Sequence, residues 1–256
     1  IARSLASGGN VGIFLGNGAE QHPRASQLHA LAQEAARLSG GRFGFLGAAA
    51  NSVGGYLAGC VPGAGGLNAA AMLAPPRGAY LLLGVEPELD AYNPQQALAA
   101  LRAAGFVVAL GAYLGTAADY ADALLPIVPF TETAGTFVNT AGRLQGFDPV
   151  VQPRGDARPG WKVLRVLGNL LGLPGFDYER SEQARDEACP GGEVAARLSN
   201  AVEGIAFDLA AAAAAVERVA DVPIYFADPV VRRAAALQET ADAAPPRAFA
   251  HGALLG

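Results

Sequence analysis

The sequence predicts an α/β fold: a parallel sheet flanked by helices, followed by a loop-rich segment and a mainly helical C-terminal tail. Three observations predict it. Short, continuous apolar runs recur at 11–15, 79–85 and 106–110, the mark of strands buried on both faces. Stretches with apolar residues at helical spacing separate them. Glycine or proline punctuates nearly every junction.

The elements follow in chain order. "VGIFL" (11–15) reads as a buried strand ending in the turn Gly16-Asn17-Gly18. A helix fits 24–38, with Leu28, Leu31, Ala32, Ala35 and Leu38 on one face and Gly40-Gly41 as its stop. "RFGFLGA" (42–48) is the next strand. Residues 49–78 are glycine-rich and lack periodicity, so a loop with short helical turns is expected. "AYLLLGV" (79–85) is a strong buried strand, closed by "EPELD". Pro94 opens a helix to Ala104, stopped by Gly105, and "FVVAL" (106–110) is the fourth strand. Thr116-x-x-Asp119 has capping-box spacing for a short helix before the apolar run "ALLPIV".

Beyond that run the texture changes. "PFTETAGTFVNTAGRLQG" (129–146) is too polar for a core strand and too specific for a plain linker. A proline-rich connection leads to "WKVLRVLGNLLG", an amphipathic helix with Trp161, Leu164, Leu167, Leu170 and Leu171 on one face. Residues 181–220 read as one or two alanine-rich helices around "CPGG". A short extended piece and a helix follow from Val222, and 244–256 reads as loop. The division expected is 1–180 for the α/β domain and 181–256 for the helical extension.

Composition excludes several function classes. Of the 256 residues, 52% are hydrophobic and 16% charged, the opposite of a disordered chain. A formal net charge of -5 and no basic track argue against nucleic acid as a partner. No apolar run reaches the roughly 18–20 residues of a membrane span. The opening "IARSLASGGN" has no initiating methionine and no signal-peptide core, which reads as a piece of a longer chain. Cys60 and Cys189 form no metal or redox motif, and His22, His29 and His251 lack ligand spacing, so no metal site is expected.

In a parallel α/β sheet, ligands sit beyond the carboxyl ends of the strands. Those ends here are 16–18, 84–86 and 111–116. Gly16-Asn17-Gly18 resembles a phosphate-cradling turn, but Gln21 stands where the dinucleotide fingerprint has its third glycine. Gly84, Glu86 and Thr116 are the candidate cofactor-binding residues, Glu86 as a ribose partner, with capping or solvation as the structural alternative. No serine lies in a nucleophile elbow, and no carboxylate pair is spaced for acid–base chemistry, so no catalytic residue is expected. Arg232-Arg233 reads as a solvated or interfacial basic pair.

The polar stretch carries a resemblance. "ADALLPIVPFTETAGTFVNTAGRLQGF" resembles the molybdopterin oxidoreductase superfamily through Asp122, Pro126, Glu132, Gly135, Thr136, Asn139, Gly142, Arg143 and Gln145. "LGNGAEQHPRASQLHALA", "ANSVGGYLAG", "LLLGVEPELD", "RPGWKVLRVLGNLLGL" and "PIYFADPVVRRAAALQET" are similar to the large iron–sulfur subunit family of bacterial NADH-quinone oxidoreductase, the respiratory complex I. The resemblance covers most of 10–180 and returns at 222–240.

It implies a structural, non-catalytic C-terminal portion of a subunit that supports electron transfer from NADH through iron–sulfur clusters to quinone. The clusters would lie in an N-terminal region of the same chain. This portion would hold no cofactor, neither cluster nor molybdopterin. Its partners would be that region and the other hydrophilic-arm subunits, in a proton-translocating complex on the cytoplasmic side of the bacterial inner membrane. The alternative is part of an active molybdopterin-dependent oxidoreductase such as formate dehydrogenase. One departure is Ala141, where relatives often carry Glu. The polar stretch is then expected to be a former cofactor-side loop, with Asn139 and the threonines satisfying backbone groups and Glu132 pairing with Arg143.

Overall fold

The computed structural model describes residues 1–20, 22, 24–47, 49–207 and 225–243. The chain divides into two compact units, Ile1–Ala48 with Ser199–Gly256, and Ala49–Leu198.

The first unit begins with helix α1 (Ala2–Ser7), strand β1 (Gly12–Leu15), the short helix α2 (Asn17–Glu20), α3 (Ala25–Ser39) and β2 (Arg42–Phe45). β1 and β2 pair in parallel, Gly12 beside Arg42 and Leu15 beside Phe45. The α3 crossover between them buries Ala32 and Ala36. Ala32 lies on the apolar face that helical spacing marks; Ala36, one turn later, is not among the residues of that face, and Leu31 and Leu38, which are, are exposed. Residues 200–202 return to this unit. The Gln33 side chain donates to Val202 O (3.1 Å) and accepts from Val202 N (2.9 Å), as a neighbouring strand would. His29 hydrogen-bonds Asn200 O at 2.6 Å and packs against Phe43 and Phe45.

The second unit holds α4 (Ser52–Leu57), α5 (Ala69–Leu73), β3 (Ala79–Leu83), α6 (Pro87–Asp90), α7 (Pro94–Arg102), β4 (Phe106–Gly111), β5 (Ala123–Pro126), β6 (Gly135–Val138), β7 (Leu144–Phe147), α8 (Gly160–Leu170) and α9 (Ser181–Ala188). β3, β4 and β5 form a parallel sheet in that order. α7 starts as expected: Asn93 accepts the Gln96 amide and Pro94 occupies the first turn. Its Ala100 and Leu101 pack with Tyr80, Val107 and Tyr120 as the core of this sheet. Full burial of side chains the size of Leu101 and Val107 stabilises by roughly 1.5–3 kcal/mol each.

The α/β class with parallel strands is as the sequence predicts, and three details differ. "ALLP", read only as an apolar run, is β5, paired from Val108↔Ala123 to Gly111↔Pro126. As the edge of the sheet it tolerates a proline, which an interior strand would not. The polar stretch is also partly strand: β6 and β7 form an antiparallel hairpin from Gly135↔Phe147 to Val138↔Leu144. Threonine and glycine suit its half-exposed surface, and the Phe137–Phe147 ring contact (5.1 Å) supplies the apolar pairing. Val138 is its buried anchor, packed with Cys189 and Val194. Thirdly, Arg232, read as solvated or interfacial, is buried and donates to Phe226 O.

α8 forms as expected, but its far end is open: Leu170 and Leu171 are 80% and 64% exposed. The chain turns at Gly172 and brings Phe176 back onto Gly168, covering the middle of the helix rather than its end. α9 and a 3-10 turn over Ala195–Arg197 stand where alanine-rich helices were expected, and a 3-10 turn over Val231–Arg233 precedes a short helix over Ala235–Gln238. The expected helix across 208–220 and the loop 244–256 lie outside the described residues.

Two substitutions test this packing by chemical denaturation followed by circular dichroism. Leu101→Ala should destabilise by about 2–5 kcal/mol. Gly168→Ala should cost about 1–3 kcal/mol, because its Cβ would lie 2.3 Å from the Phe176 ring.

Candidate functional site

The parallel register brings the ends of β3 and β4 level, with Leu83 beside Leu110. One residue on, the Gly84 amide still donates to Leu110 O at 2.8 Å. Gly84 has φ +63°, a left-handed turn that a Cβ would strain, and it directs the chain out of the sheet. Pro87 then starts α6, and the Glu86 amide donates to the Asp90 carboxylate at 2.7 Å. Glu86 is the N-cap residue by position but makes no side-chain cap bond.

Thr116 arrives from the connection after β4. Its hydroxyl makes no cap bond to the following 3-10 turn, Ala117–Asp119, despite the capping-box spacing. It donates instead to Glu88 Oε1 at 2.6 Å. The Tyr120 hydroxyl donates to Glu88 Oε2 at 3.2 Å. The departure from capping has a physical reason: the charge-assisted bond to the carboxylate, which the register puts within reach, fixes the side chain toward Glu88 and away from the amides of the turn. Of the three candidates, the structure brings Gly84 and Thr116 to the ends of adjacent strands. Glu86 stands in the turn between Gly84 and α6.

Glu88 and Tyr120 are the residues that sequence reasoning missed. Glu88 sits inside "EPELD", two residues past the candidate Glu86. Its role depends on a contact 28 residues away. Tyr120 is 9% exposed, and burial, first of all, pushes its pKa above the ordinary tyrosine range. The Glu88 charge and hydrogen bond add to this, followed by the charges of Glu86 and Asp119. The phenol is therefore a neutral donor near pH 7 and a poor proton shuttle. The arrangement ties two βα connections together; it holds no nucleophile with an adjacent base.

Other candidates resolve plainly. The amides of Ala19 and Glu20 after Gly16-Asn17-Gly18 already bond Gly16 O (2.9 and 3.2 Å), which fits a closed turn rather than a phosphate cradle. In the hairpin, Asn139 Oδ1 accepts the Ala141 and Arg143 amides, the local satisfaction expected of it. Glu132, expected to pair with Arg143, accepts the Arg154 amide at 3.1 Å. Among the described residues, ion pairs join Arg37 to Glu34 and Arg185 to Asp186, and no group of three His, Cys, Asp or Glu could hold a metal. Both cysteines are free, Cys60 exposed and Cys189 buried. An open groove of about 490 Å³ is lined by Cys60, Val61, Pro62, Leu67, Asn68 and Met72 among others, and it offers no acid–base pair. No described helix is long and apolar enough to cross a membrane.

Comparison with known proteins adds the following. The family profile described as molybdopterin oxidoreductase matches residues 3–170. A protein of Staphylococcus aureus (strain USA300) named "Putative formate dehydrogenase" is 34% identical over 110 residues, 43% of this chain and 10% of that protein. "Probable oxidoreductase YjgC" of Bacillus subtilis (strain 168) is 32% identical over 130 residues, 51% of this chain and 12% of that protein. The aligned part thus spans about a tenth of the length of these relatives.

The raised Tyr120 pKa has a signed consequence. Between the ordinary tyrosine pKa of about 10 and the higher folded value, the unfolded state releases a proton that the folded state keeps. The stability contributed by this group is therefore complete below about pH 10 and is lost as pH rises above it. In urea titrations at pH 8 and 11, Tyr120→Phe should show a smaller alkaline loss than the parent. Its cost at pH 8 should be about 1.5–3 kcal/mol, from the lost hydrogen bond to a charged group.

Proposed function

The chain belongs to the molybdopterin oxidoreductase family, and from that premise we propose that it is a structural, non-catalytic portion of a large iron–sulfur subunit of NADH-quinone oxidoreductase. In this reading it supports electron transfer from NADH through iron–sulfur clusters, carried elsewhere in the same polypeptide, to quinone. It contributes shape and contacts to a proton-translocating complex at the cytoplasmic side of the inner membrane. Its partners are the cluster-bearing region and the other hydrophilic-arm subunits.

The observation that carries the proposal is the Glu88 contact with Thr116 and Tyr120. The cofactor that the family name implies is a pterin, which in its dinucleotide form bears phosphates. The hydroxyls that could greet a phosphate at this crevice are held by a carboxylate of the chain itself. A phosphate reaching Thr116 would have to displace Glu88 and would meet its negative charge at close range. The donor set does not fit that group, and no reaction step is derived through it. The sequence resemblance of "LLLGVEPELD" to the large iron–sulfur subunit family points the same way.

A second reading has its own support. The similar Staphylococcus aureus protein is named as a formate dehydrogenase, which favours part of an active molybdopterin-dependent oxidoreductase. The two readings separate on a native gel. The full-length protein is tagged in its host, membranes are solubilised in mild detergent, and bands are stained for NADH oxidation. The structural reading expects the tag in the NADH-oxidising band, with companions identified by mass spectrometry. A separate soluble band with formate-oxidising activity would favour the second reading.

A further inference from the structure

We infer that the ends of β3 and β4 form a built monoanion site, and that Glu88 is its internal ligand: the Thr116 and Tyr120 hydroxyls bind a carboxylate that the chain supplies to itself. The inference deepens the structural reading above and rests on it for the claim that no outside ligand uses this crevice. Both oxygens of Glu88 are engaged, Oε1 by Thr116 at 2.6 Å and Oε2 by Tyr120 at 3.2 Å. The two donors flank one 3-10 turn, at its N-cap position and immediately after it, while the acceptor comes from a different βα connection. The donors are thus carried by one connection and the acceptor by another, and the Glu88 bonds tie the two. Tyr120 is nine-tenths buried and anchored in the sheet core by Val107 and Leu101, so its hydroxyl is fixed in place.

Charge does not prevent substitution of this ligand. Glu86 and Asp119 lie close enough to raise the Tyr120 pKa, yet the native chain accommodates a carboxylate beside them. An exogenous monoanion replacing Glu88 would meet the same field that Glu88 already meets. A dianionic phosphate would add a charge to it. The chemical class that fits is therefore a small carboxylate. Glu88→Ala removes a CH2–COO⁻ group beyond Cβ, and acetate is the free molecule of that size and charge.

The test uses hydrogen exchange of residues 113–122, read by mass spectrometry in the full-length protein. Glu88→Ala should accelerate exchange there by about tenfold or more, the equivalent of losing hydrogen bonds to a charged group. Acetate should return exchange toward the parent rate, and chloride at equal ionic strength should not. Adding Thr116→Val should abolish the acetate response. The same response to acetate and chloride in Glu88→Ala, or an equal acetate response in the parent, would overturn the inference. Should Glu88→Ala not fold, Glu88→Gln keeps the shape and removes the charge. Tyr120 should then ionise at lower pH than in the parent, followed by absorbance near 295 nm; an unchanged titration would overturn the inference. Acetate rescue together with molybdenum in the purified protein would separate the two claims, sparing this one and sinking the structural reading.

Discussion

The carboxylate of Glu88 is the constraint on which the strand-end region depends. It accepts hydroxyls from Thr116 and Tyr120, both delivered by the connection that follows β4. Without it, a phenol that is nine-tenths buried would keep its oxygen with one partner fewer, and such groups cost about 1–3 kcal/mol when left unsatisfied. The parallel register makes the contact possible, because it stops β3 and β4 at the same height. The left-handed turn at Gly84 then leads the chain to α6, which carries the acceptor.

The same principle recurs at several places among the described residues. Irregular backbone must find hydrogen-bond partners, and short polar side chains supply them. Gln33 bonds both backbone groups of Val202. Asn139 closes the hairpin turn through the amides of Ala141 and Arg143. Asn51 accepts the Val138 amide, and Asp122 accepts the Val107 amide at the start of β4. In each case a polar residue that could have been read as a ligand is occupied within the fold. This is how a domain with strand-end polar groups can serve as a scaffold.

Much of the fold was readable because its signals are local. The apolar runs of β1, β3 and β4 announce strands, although only β4 is as buried as expected: β1 has no buried residue and β3 buries Tyr80 alone; Asn93-Pro94 and Gly40-Gly41 mark helix ends through backbone preferences of single residues. The errors fell where the deciding partner is distant. "ALLP" has the composition of a strand, but only the edge of β4 makes it one. The hairpin of 135–147 hides in a polar sequence because its strands are short and half exposed. The spacing of Thr116 to Asp119 predicts a cap by a local rule, whereas the acceptor that Thr116 meets lies 28 residues earlier. Of the candidate positions, Gly84 and Glu86 follow β3 and Thr116 follows β4, as their neighbours in sequence indicate, but Glu88, which accepts the Thr116 hydroxyl, carries no motif. Family membership was legible in the stretch 122–146, and the family profile covers it within residues 3–170.

The central claim is that this crevice is closed by the chain's own carboxylate and serves structure rather than cofactor binding. Its most direct test is elemental analysis of the full-length protein, purified from its host grown with ample molybdate and tungstate. The account predicts molybdenum and tungsten far below one atom per chain, with iron present. Either metal near one atom per chain would contradict it.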